Sequence, residues 1–211
     1  MIIINLKTYQ QGTGKEAENI TKQFSNIAKK TKKKIIVCAQ TADIRMLSKI
    51  KNIIIFAQDI SSVEYGKNTG SILCEDIKEA GAKGSLVNHS EKRINKTEIK
   101  KRIDKLKKLK MISVVCAKNY KEAKELSKFK PDYIAYEHPQ LIGGKISVSE
   151  AKPEIIKKVV TGLRIPVLVG AGINNKNDIK KSYELGAKGI LISSAIVTAK
   201  NPGKKLYEIL K

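Results

Sequence analysis

The sequence lacks tryptophan altogether and has only three cysteines, two histidines and three phenylalanines among its 211 residues. Cys38, Cys74 and Cys116 are an odd number without CxxC spacing, which argues against a disulfide framework and against a zinc site. His89 and His138 are the only histidines, so a histidine-rich metal centre is excluded. We therefore expect the chain to fold on a hydrophobic core, which its length permits without covalent or metal cross-links.

Long apolar runs are also missing. No run approaches the ~20 residues that a helix needs to cross a bilayer. The first five residues, MIIIN, are too short for the core of a signal peptide and have no basic lead-in. We therefore expect a cytoplasmic protein that has no membrane partner.

Acidic residues are sparse, and this makes the chain strongly basic. Twenty acidic residues stand against 42 basic ones, with a net charge of +22 and a pI near 9.8. A pI above about 9 is one feature of nucleic-acid-binding domains. However, only four of the basic residues are arginines, the lysines are spread along the chain, and the scattered tyrosines suggest no base-stacking platform. We expect solvated lysine faces and no nucleic-acid partner; binding of RNA or another polyanion, or steering of small anions, is the alternative.

Short runs rich in Ile and Val alternate with amphipathic stretches rich in Lys and Glu. Continuous apolar runs of four to six residues are typical of strands buried on both faces of a parallel sheet. The runs are residues 2–6, 34–38, 53–57, 84–87, 111–116, 133–136, 166–169 and 189–192. The helical patterns are residues 15–30, 42–50, 73–80, 97–108, 120–128, 152–163, 177–185 and 203–210. Eight such units predict an α/β fold, a (β/α)8 TIM barrel formed as a single domain by residues 1–211, with an open doubly wound sheet as the alternative.

Active sites of such barrels form at the carboxyl ends of the strands. The polar residues that follow the predicted strands are Asn5 and Lys7 after the first, Asn88, His89, Ser90 and Glu91 after the fourth, Glu137 after the sixth, and Ser193 and Ser194 after the eighth. An amine, an imidazole and a carboxylate therefore converge on one rim. Small residues after the seventh strand (Gly170, Ala171, Gly172) and the eighth are suited to presenting backbone N–H groups to a phosphate.

Four motifs at these strand ends resemble triosephosphate isomerase in its short archaeal-type form. They are Asn5-Leu-Lys-Thr-Tyr9, Asn88-His-Ser-Glu91, Tyr136-Glu-His-Pro139 with Leu141-Ile-Gly143, and Gly170-Ala-Gly-Ile173. The resemblance runs from the first strand to the eighth. The Asn-His-Ser-Glu and Tyr-Glu-x-Pro motifs are specific, whereas the glycine loops alone are not.

The resemblance implies reversible proton transfer between dihydroxyacetone phosphate and glyceraldehyde 3-phosphate, with no metal and no organic cofactor. It assigns Glu137 as the general base, His89 as the neutral imidazole that polarises the carbonyl, and Lys7 as the cation that holds substrate and stabilises the enediolate. Glu91 matches a supporting carboxylate that does not touch substrate. The implied substrate-binding residues are Asn5, Leu6, Lys7, Ile142, Gly143, Gly172, Ser193 and Ser194.

The same resemblance implies a lid at residues 138–145, directly after the base. His138 replaces the usual proline, Gly144-Lys145 replaces a more typical Thr-Gly, and Ala195 stands where glycine is common in the loop after the eighth strand. Because glycine is conformationally permissive, Gly144 is expected to loosen the lid. These departures concern lid kinetics and phosphate affinity rather than the base or the imidazole.

The resemblance also implies a homo-oligomer. The loop from Asp59 to Gly70 looks like the arm that enters a neighbouring subunit, and the archaeal-type match favours a tetramer over a dimer. Cys116 is interpreted as a core residue rather than a nucleophile. Two rival functions stay open at this point: a different phosphate-binding barrel, in which His89 and Glu137 do not share a pocket, and a non-catalytic barrel that binds a polyanion.

Overall fold

The computed structural model describes residues 1–137 and 153–211, and within them eight parallel strands close into a barrel in sequence order. The strands are β1 Ile2–Asn5, β2 Ile35–Ala39, β3 Ile54–Ala57, β4 Gly84–Val87, β5 Ile112–Ala117, β6 Tyr133–Tyr136, β7 Val167–Val169 and β8 Gly189–Ile192. Pairing of β1 with β8, in the register Ile4 to Ile192, closes the sheet. The predicted TIM barrel is therefore confirmed, and the open doubly wound sheet is not formed.

Helices between the strands pack around the barrel. They are α1 Gly14–Thr31, α2 Ile44–Leu47, α3 Cys74–Glu79, α4 Lys96–Lys108, α5 Tyr120–Ser127, α6 Pro153–Gly162, α7 Lys176–Glu184, α8 Ser194–Val197 and α9 Pro202–Leu210. The predicted helix over residues 42–50 was too long, since a 3-10 turn at Thr41–Asp43 is followed only by the single turn α2. In the described part of the chain, no helix is both long and apolar enough to cross a membrane.

Side-chain alternation along the strands divides the core in two. Ile2 and Ile4 of β1 belong to the larger cluster, which packs against the helices, whereas Ile3 belongs to a smaller one. The smaller cluster takes residues from all eight strands and from no helix, so it is the interior of the barrel; its members are Ile3, Ile36, Cys38, Phe56, Leu86, Val114, Cys116, Ala135, Leu168 and Leu191. Residues two positions beyond these therefore point towards the barrel mouth.

This alternation selects the residues that reach the mouth. Counting two positions onward from the last interior side chain gives Asn5 on β1, Gln58 after β3, Glu137 after β6, Gly170 after β7 and Ser193 after β8. His89 lies one residue beyond the position that this count gives for β4. A left-handed backbone at Asn88 (φ 61°) turns the chain there. The strand register therefore carries side chains from at least five strands to one end of the barrel.

Candidate active site

A cavity that is open to solvent, with a volume of about 50 Å³ for the centres of water-sized molecules, lies at the carboxyl ends of the strands. Lys7, His89 and Glu137 all line it, although they are far apart in the sequence. The structure thus brings together the amine, the imidazole and the carboxylate that the strand-end analysis selected. The rival hypothesis of a different phosphate-binding barrel required His89 and Glu137 to point away from a common pocket. In the structure both side chains line the same cavity.

Glu137 is buried in this cavity, with 6% of its side chain exposed. Its Oε1 lies 3.8 Å from His89 Nε2, which is too long for a hydrogen bond. Its Oε2 is buried and has no hydrogen-bond partner among the residues that the structure describes. Burying an unpaired carboxylate oxygen is costly, so a position like this is characteristic of a group that a ligand completes.

Glycine at position 170 makes room for the Glu137 side chain. A Cβ at Gly170 would lie 2.8 Å from Glu137 Cγ and 3.3 Å from its Oε1. The backbone N–H of Gly170 also donates to the Tyr136 carbonyl, at 2.9 Å, which fixes the two strand ends against each other. Any side chain larger than a hydrogen at position 170 must therefore displace the carboxylate.

His89 is held in one tautomer by the next turn of the chain. The backbone N–H of Glu91 donates to His89 Nδ1 at 3.3 Å. A nitrogen that accepts a hydrogen bond carries no proton, so this contact puts the imidazole proton on Nε2, the nitrogen that faces Glu137. Asn88 braces the same turn, because its Oδ1 accepts from the Ile94 N–H (3.1 Å) and its Nδ2 donates to the Cys116 carbonyl (3.0 Å).

Lys7 supplies a positive charge to the cavity, and Glu91 pairs with it from the rim. Lys7 Nζ lies 2.6 Å from Glu91 Oε1, and 16% of the Lys7 side chain is exposed. Glu91 itself is half exposed and lines an adjoining pocket rather than the cavity that Glu137 lines. Its carboxylate contacts Lys7 and lies 3.7 Å from His89 Nδ1, and its supporting role stays a prediction.

The opposite wall of the cavity is formed after β7 and β8. Gly172, Ser193 and Ser194 line it, as predicted for the phosphate-binding residues. Ala171 and Gly172 both adopt positive φ, at 71° and 69°. The N–H groups of Ser194 and Ala195 lie in the first turn of α8, where no helical carbonyl is available to accept from them.

The other predicted binding residues differ in their placement. Asn5 lines the cavity, whereas the side chain of Leu6 is fully buried in the core between strands and helices and does not reach it. Ile142 and Gly143, the predicted lid and the departures at His138, Gly144 and Lys145 lie outside the described residues. Residues 1–137 and 153–211 contain no cluster of three or more His, Cys, Asp or Glu side chains arranged to hold a metal ion.

Sequence reasoning missed several residues of this region. Ile173 and Asn174 line the cavity, and Gln58 contacts the Lys7 segment. Gln58 directly follows the predicted third strand, so the rule that selected the other strand-end residues would have found it. Asn174, which donates to the Gly172 carbonyl at 2.6 Å, gave no comparable signal because it lies five residues beyond the end of its strand.

Cys116 lies inside the barrel and is fully buried. Burial first, and the nearby charge of Glu137 second, raise the pKa of its thiol well above that of a free cysteine. Since the thiolate is the reactive form, the thiol is a core group rather than a nucleophile. Its interpretation as a packing residue therefore fits this environment.

Comparison with known proteins agrees with the geometry. The sequence profile described as triosephosphate isomerase matches residues 1–211. The triosephosphate isomerase of Methanothermus fervidus is 42% identical over 215 residues, covering 100% of this chain and 97% of the relative, and that of Methanocaldococcus jannaschii is 39% identical over 216 residues, covering 100% and 99%. The crystal structure of triosephosphate isomerase from Bartonella henselae superposes with a TM-score of 0.73 at 20% identity, covering 100% of this chain and 98% of the other. The bacterial structure supports the fold, the archaeal relatives extend the likeness to the whole sequence, and the chain belongs to the triosephosphate isomerase family.

Proposed function

We propose that Glu137, His89 and Lys7 carry out the isomerisation of triose phosphates in this protein. The family establishes the overall activity, triose-phosphate isomerisation, and the assignment of residues to steps is the proposal. The observation that carries it is the buried Glu137 carboxylate, whose Oε2 lacks a partner within the described residues, in the cavity that His89 and Lys7 also line.

In the proposed reaction Glu137 removes a proton from C1 of dihydroxyacetone phosphate. The C–H electron pair forms the C1–C2 double bond, and the C2 carbonyl oxygen takes up the negative charge. The proton then returns from Glu137 to C2, while the O1 hydroxyl proton moves to O2, and this gives the aldehyde at C1. No atom is gained or lost, so the step needs no further reactant.

His89 and Lys7 stabilise the intermediate in this scheme. The proton on His89 Nε2 is directed into the cavity, where it donates to the oxygen on which charge develops. Lys7 supplies a full positive charge to the same intermediate, and Glu91 keeps the ammonium on the correct side of the cavity at 2.6 Å. Preorganised donors are effective because they need not reorient as the charge forms.

The phosphate group is assigned to the wall formed by Gly172, Ser193 and Ser194. The N–H groups at the start of α8 support this assignment, because they lack a helical carbonyl to donate to and such groups are suited to anions. Asn5 and Lys7 are the remaining described residues that we assign to substrate binding. Ile142, Gly143 and the lid over residues 138–145 remain predictions, as does the treatment of residues 1–211 as one catalytic domain.

The activity is tested by supplying dihydroxyacetone phosphate to the purified protein in D2O. We expect glyceraldehyde 3-phosphate, detected with a coupled dehydrogenase, and deuterium at its C2 in the NMR spectrum, because a carboxyl proton exchanges with solvent. Product without deuterium, together with full activity of Glu137→Gln, would exclude Glu137 as the carrier of the proton. Absence of turnover in either direction would contradict the activity itself.

A homo-oligomer, with a tetramer favoured over a dimer, is a second part of the proposal. The loop from Asp59 to Gly70 is a preformed arm, since Ser61 and Ile72 hydrogen-bond across its base at 2.8 Å and 3.0 Å. Tyr65 projects from it with 75% of its surface exposed, so its ring is available to contact a neighbouring subunit.

Sedimentation equilibrium tests this assembly. We expect a mass of four times, or failing that twice, the 23.4 kDa of one chain. Tyr65→Asp should shift the protein towards smaller species, because a charge at the arm tip opposes burial. Tyr183→Asp, at the other exposed tyrosine, is the control and should leave the mass unchanged. A stable species of one chain for the unmodified protein would contradict the proposal.

A cytoplasmic location is the last part of the proposal. Cys38, Cys74 and Cys116 are all free and buried. Free thiols of this kind are typical of proteins kept in reducing compartments, and they support the location.

A further inference from the structure

The segment Asn5-Leu6-Lys7 at the end of β1 brings Asn5 and Lys7 to the cavity in a conformation that needs external support. Lys7 has a φ of 50°, in the left-handed region that non-glycine residues seldom occupy. Its N–H donates to the Asn5 side chain at 3.0 Å, which is a bond within the segment itself. A strained residue of this kind persists only when surrounding groups hold it in place.

Gln58 holds the segment from one side. It follows β3 at the position that points to the barrel mouth, and its side-chain amide donates to the Lys7 carbonyl at 2.8 Å and to the Cys38 carbonyl at 3.3 Å. An amide nitrogen has two protons, so one side chain can make both bonds. The Cys38 carbonyl also accepts from the Leu6 N–H at 3.0 Å. Gln58 therefore ties the end of β2 to Lys7 at its strained backbone.

Ser193 holds the segment from the other side. Its hydroxyl donates to the Asn5 carbonyl at 2.7 Å. The register between β1 and β8 ends at Ile4 and Ile192, so Asn5 and Ser193 stand at the next position of the seam that closes the barrel. The hydrogen bond from the Ser193 hydroxyl thus links β1 and β8 one position beyond their last backbone pair.

We propose that Gln58 and Ser193 are positioning residues for Lys7, which together fix the direction in which its ammonium group enters the cavity. The inference rests on the proposed role of Lys7 in isomerisation and extends it to two residues that have no part in proton transfer. Both act on backbone carbonyls of the segment rather than on the amine. Losing either bond is expected to leave the charge of Lys7 intact but its placement less defined.

The test measures kcat/KM for Gln58→Met and Ser193→Ala in two backgrounds, the unmodified protein and Lys7→Ala. In the unmodified background we expect each variant to lose about three- to tenfold, the size associated with one hydrogen bond. In the Lys7→Ala background we expect a further loss below about twofold, because residues that act through a shared partner are not additive. Ser193→Thr, which keeps the hydroxyl, is expected to restore activity.

Two controls remove comparable bonds elsewhere. Gln40→Met removes a donor to Thr13 Oγ1 at 2.8 Å, on the same rim but in a bond that does not involve the segment from Asn5 to Lys7. Ser25→Ala removes a hydroxyl bond to the Lys51 carbonyl at 2.7 Å on the outer surface. Both should retain the activity of the unmodified protein, and thermal unfolding of every variant confirms that it folds.

Two results would contradict the positioning role of Gln58 and Ser193, and a third would contradict the proposed function of Lys7. Undiminished activity of both Gln58→Met and Ser193→Ala excludes positioning. Equal losses of kcat/KM in the unmodified and Lys7→Ala backgrounds would indicate a general effect on the barrel rim, and this result would also exclude positioning. Full activity of Lys7→Ala itself would instead contradict the proposed function of Lys7. If only one of the two variants loses activity, the residue changed in that variant is a positioning residue and the other residue is not.

Discussion

Glu137→Gln is expected to lower kcat by about 10²–10⁴-fold while changing the substrate affinity little, because general-base catalysis contributes a factor of this size. The amide has nearly the shape of the carboxylate and fills the same buried position, but it cannot accept the C1 proton. The measurement is a coupled isomerase assay in both directions, with KM and kcat determined separately. A variant that retains full kcat would exclude Glu137 as the base.

Two companion variants separate the loss of charge from the loss of placement. Gly170→Ala leaves the carboxylate intact but places a Cβ 2.8 Å from Glu137 Cγ, and we expect it to cost about 10²-fold in kcat, since a displacement near 1 Å has effects of that order. Gly162→Ala is the matched control: its Cβ would meet the Tyr120 ring, which does not line the cavity. It should lower the melting temperature without lowering kcat. Glu18→Gln, which removes a surface pair with Lys22, is the control for the change of charge.

Lys7→Ala and Lys7→Gly form the second prediction, and the pair distinguishes catalysis from backbone strain. Both variants remove the ammonium group, and we expect both to lose about 10²–10³-fold in kcat/KM, as when one donor to a developing oxyanion is removed. They should differ in stability. At φ 50° glycine is unstrained whereas alanine is not, so Lys7→Gly should have the higher free energy of unfolding, by about 1 kcal/mol.

Lys32 provides the control for this comparison. It ends α1 with a φ of 54°, nearly the value at Lys7, but it lies on the surface away from the cavity. Lys32→Gly and Lys32→Ala should show the same difference in chemical denaturation and full isomerase activity. If Lys7→Ala proved as stable as Lys7→Gly, the backbone at Lys7 would not be under the strain that its φ indicates.

The strand pattern was predictable almost residue by residue. All eight apolar runs became strands with bounds shifted by at most one residue, because strands buried on both faces leave few places for polar side chains. The helix over residues 42–50 was predicted too long, since periodicity alone does not distinguish a full helix from a 3-10 turn followed by one helical turn. The bounds of the other predicted helices were shifted by at most one residue, as at Leu73, which caps α3 from outside it.

The candidate site was predictable in its chemistry but not in its contacts. Residue type and position after a strand identified Lys7, His89 and Glu137, and their shared cavity follows from barrel closure. Leu6 was predicted to bind substrate, yet its side chain packs into the core, because alternation along the chain turns it away from the mouth. Nothing in the sequence indicated that Gly170 faces the base, because that contact crosses between two strands.

The sequence by itself determined the order of strands and helices and the chemical groups available at the strand ends, because both depend on local patterns of apolar and polar residues. The tertiary structure alone decided which nitrogen of His89 carries the proton, how much space Glu137 has, and what supports the strained backbone of Lys7. These depend on distances between residues as far apart as Asn5 and Ser193, which become neighbours only when the eighth strand pairs with the first. Barrel closure sets those distances, and no local pattern encodes them.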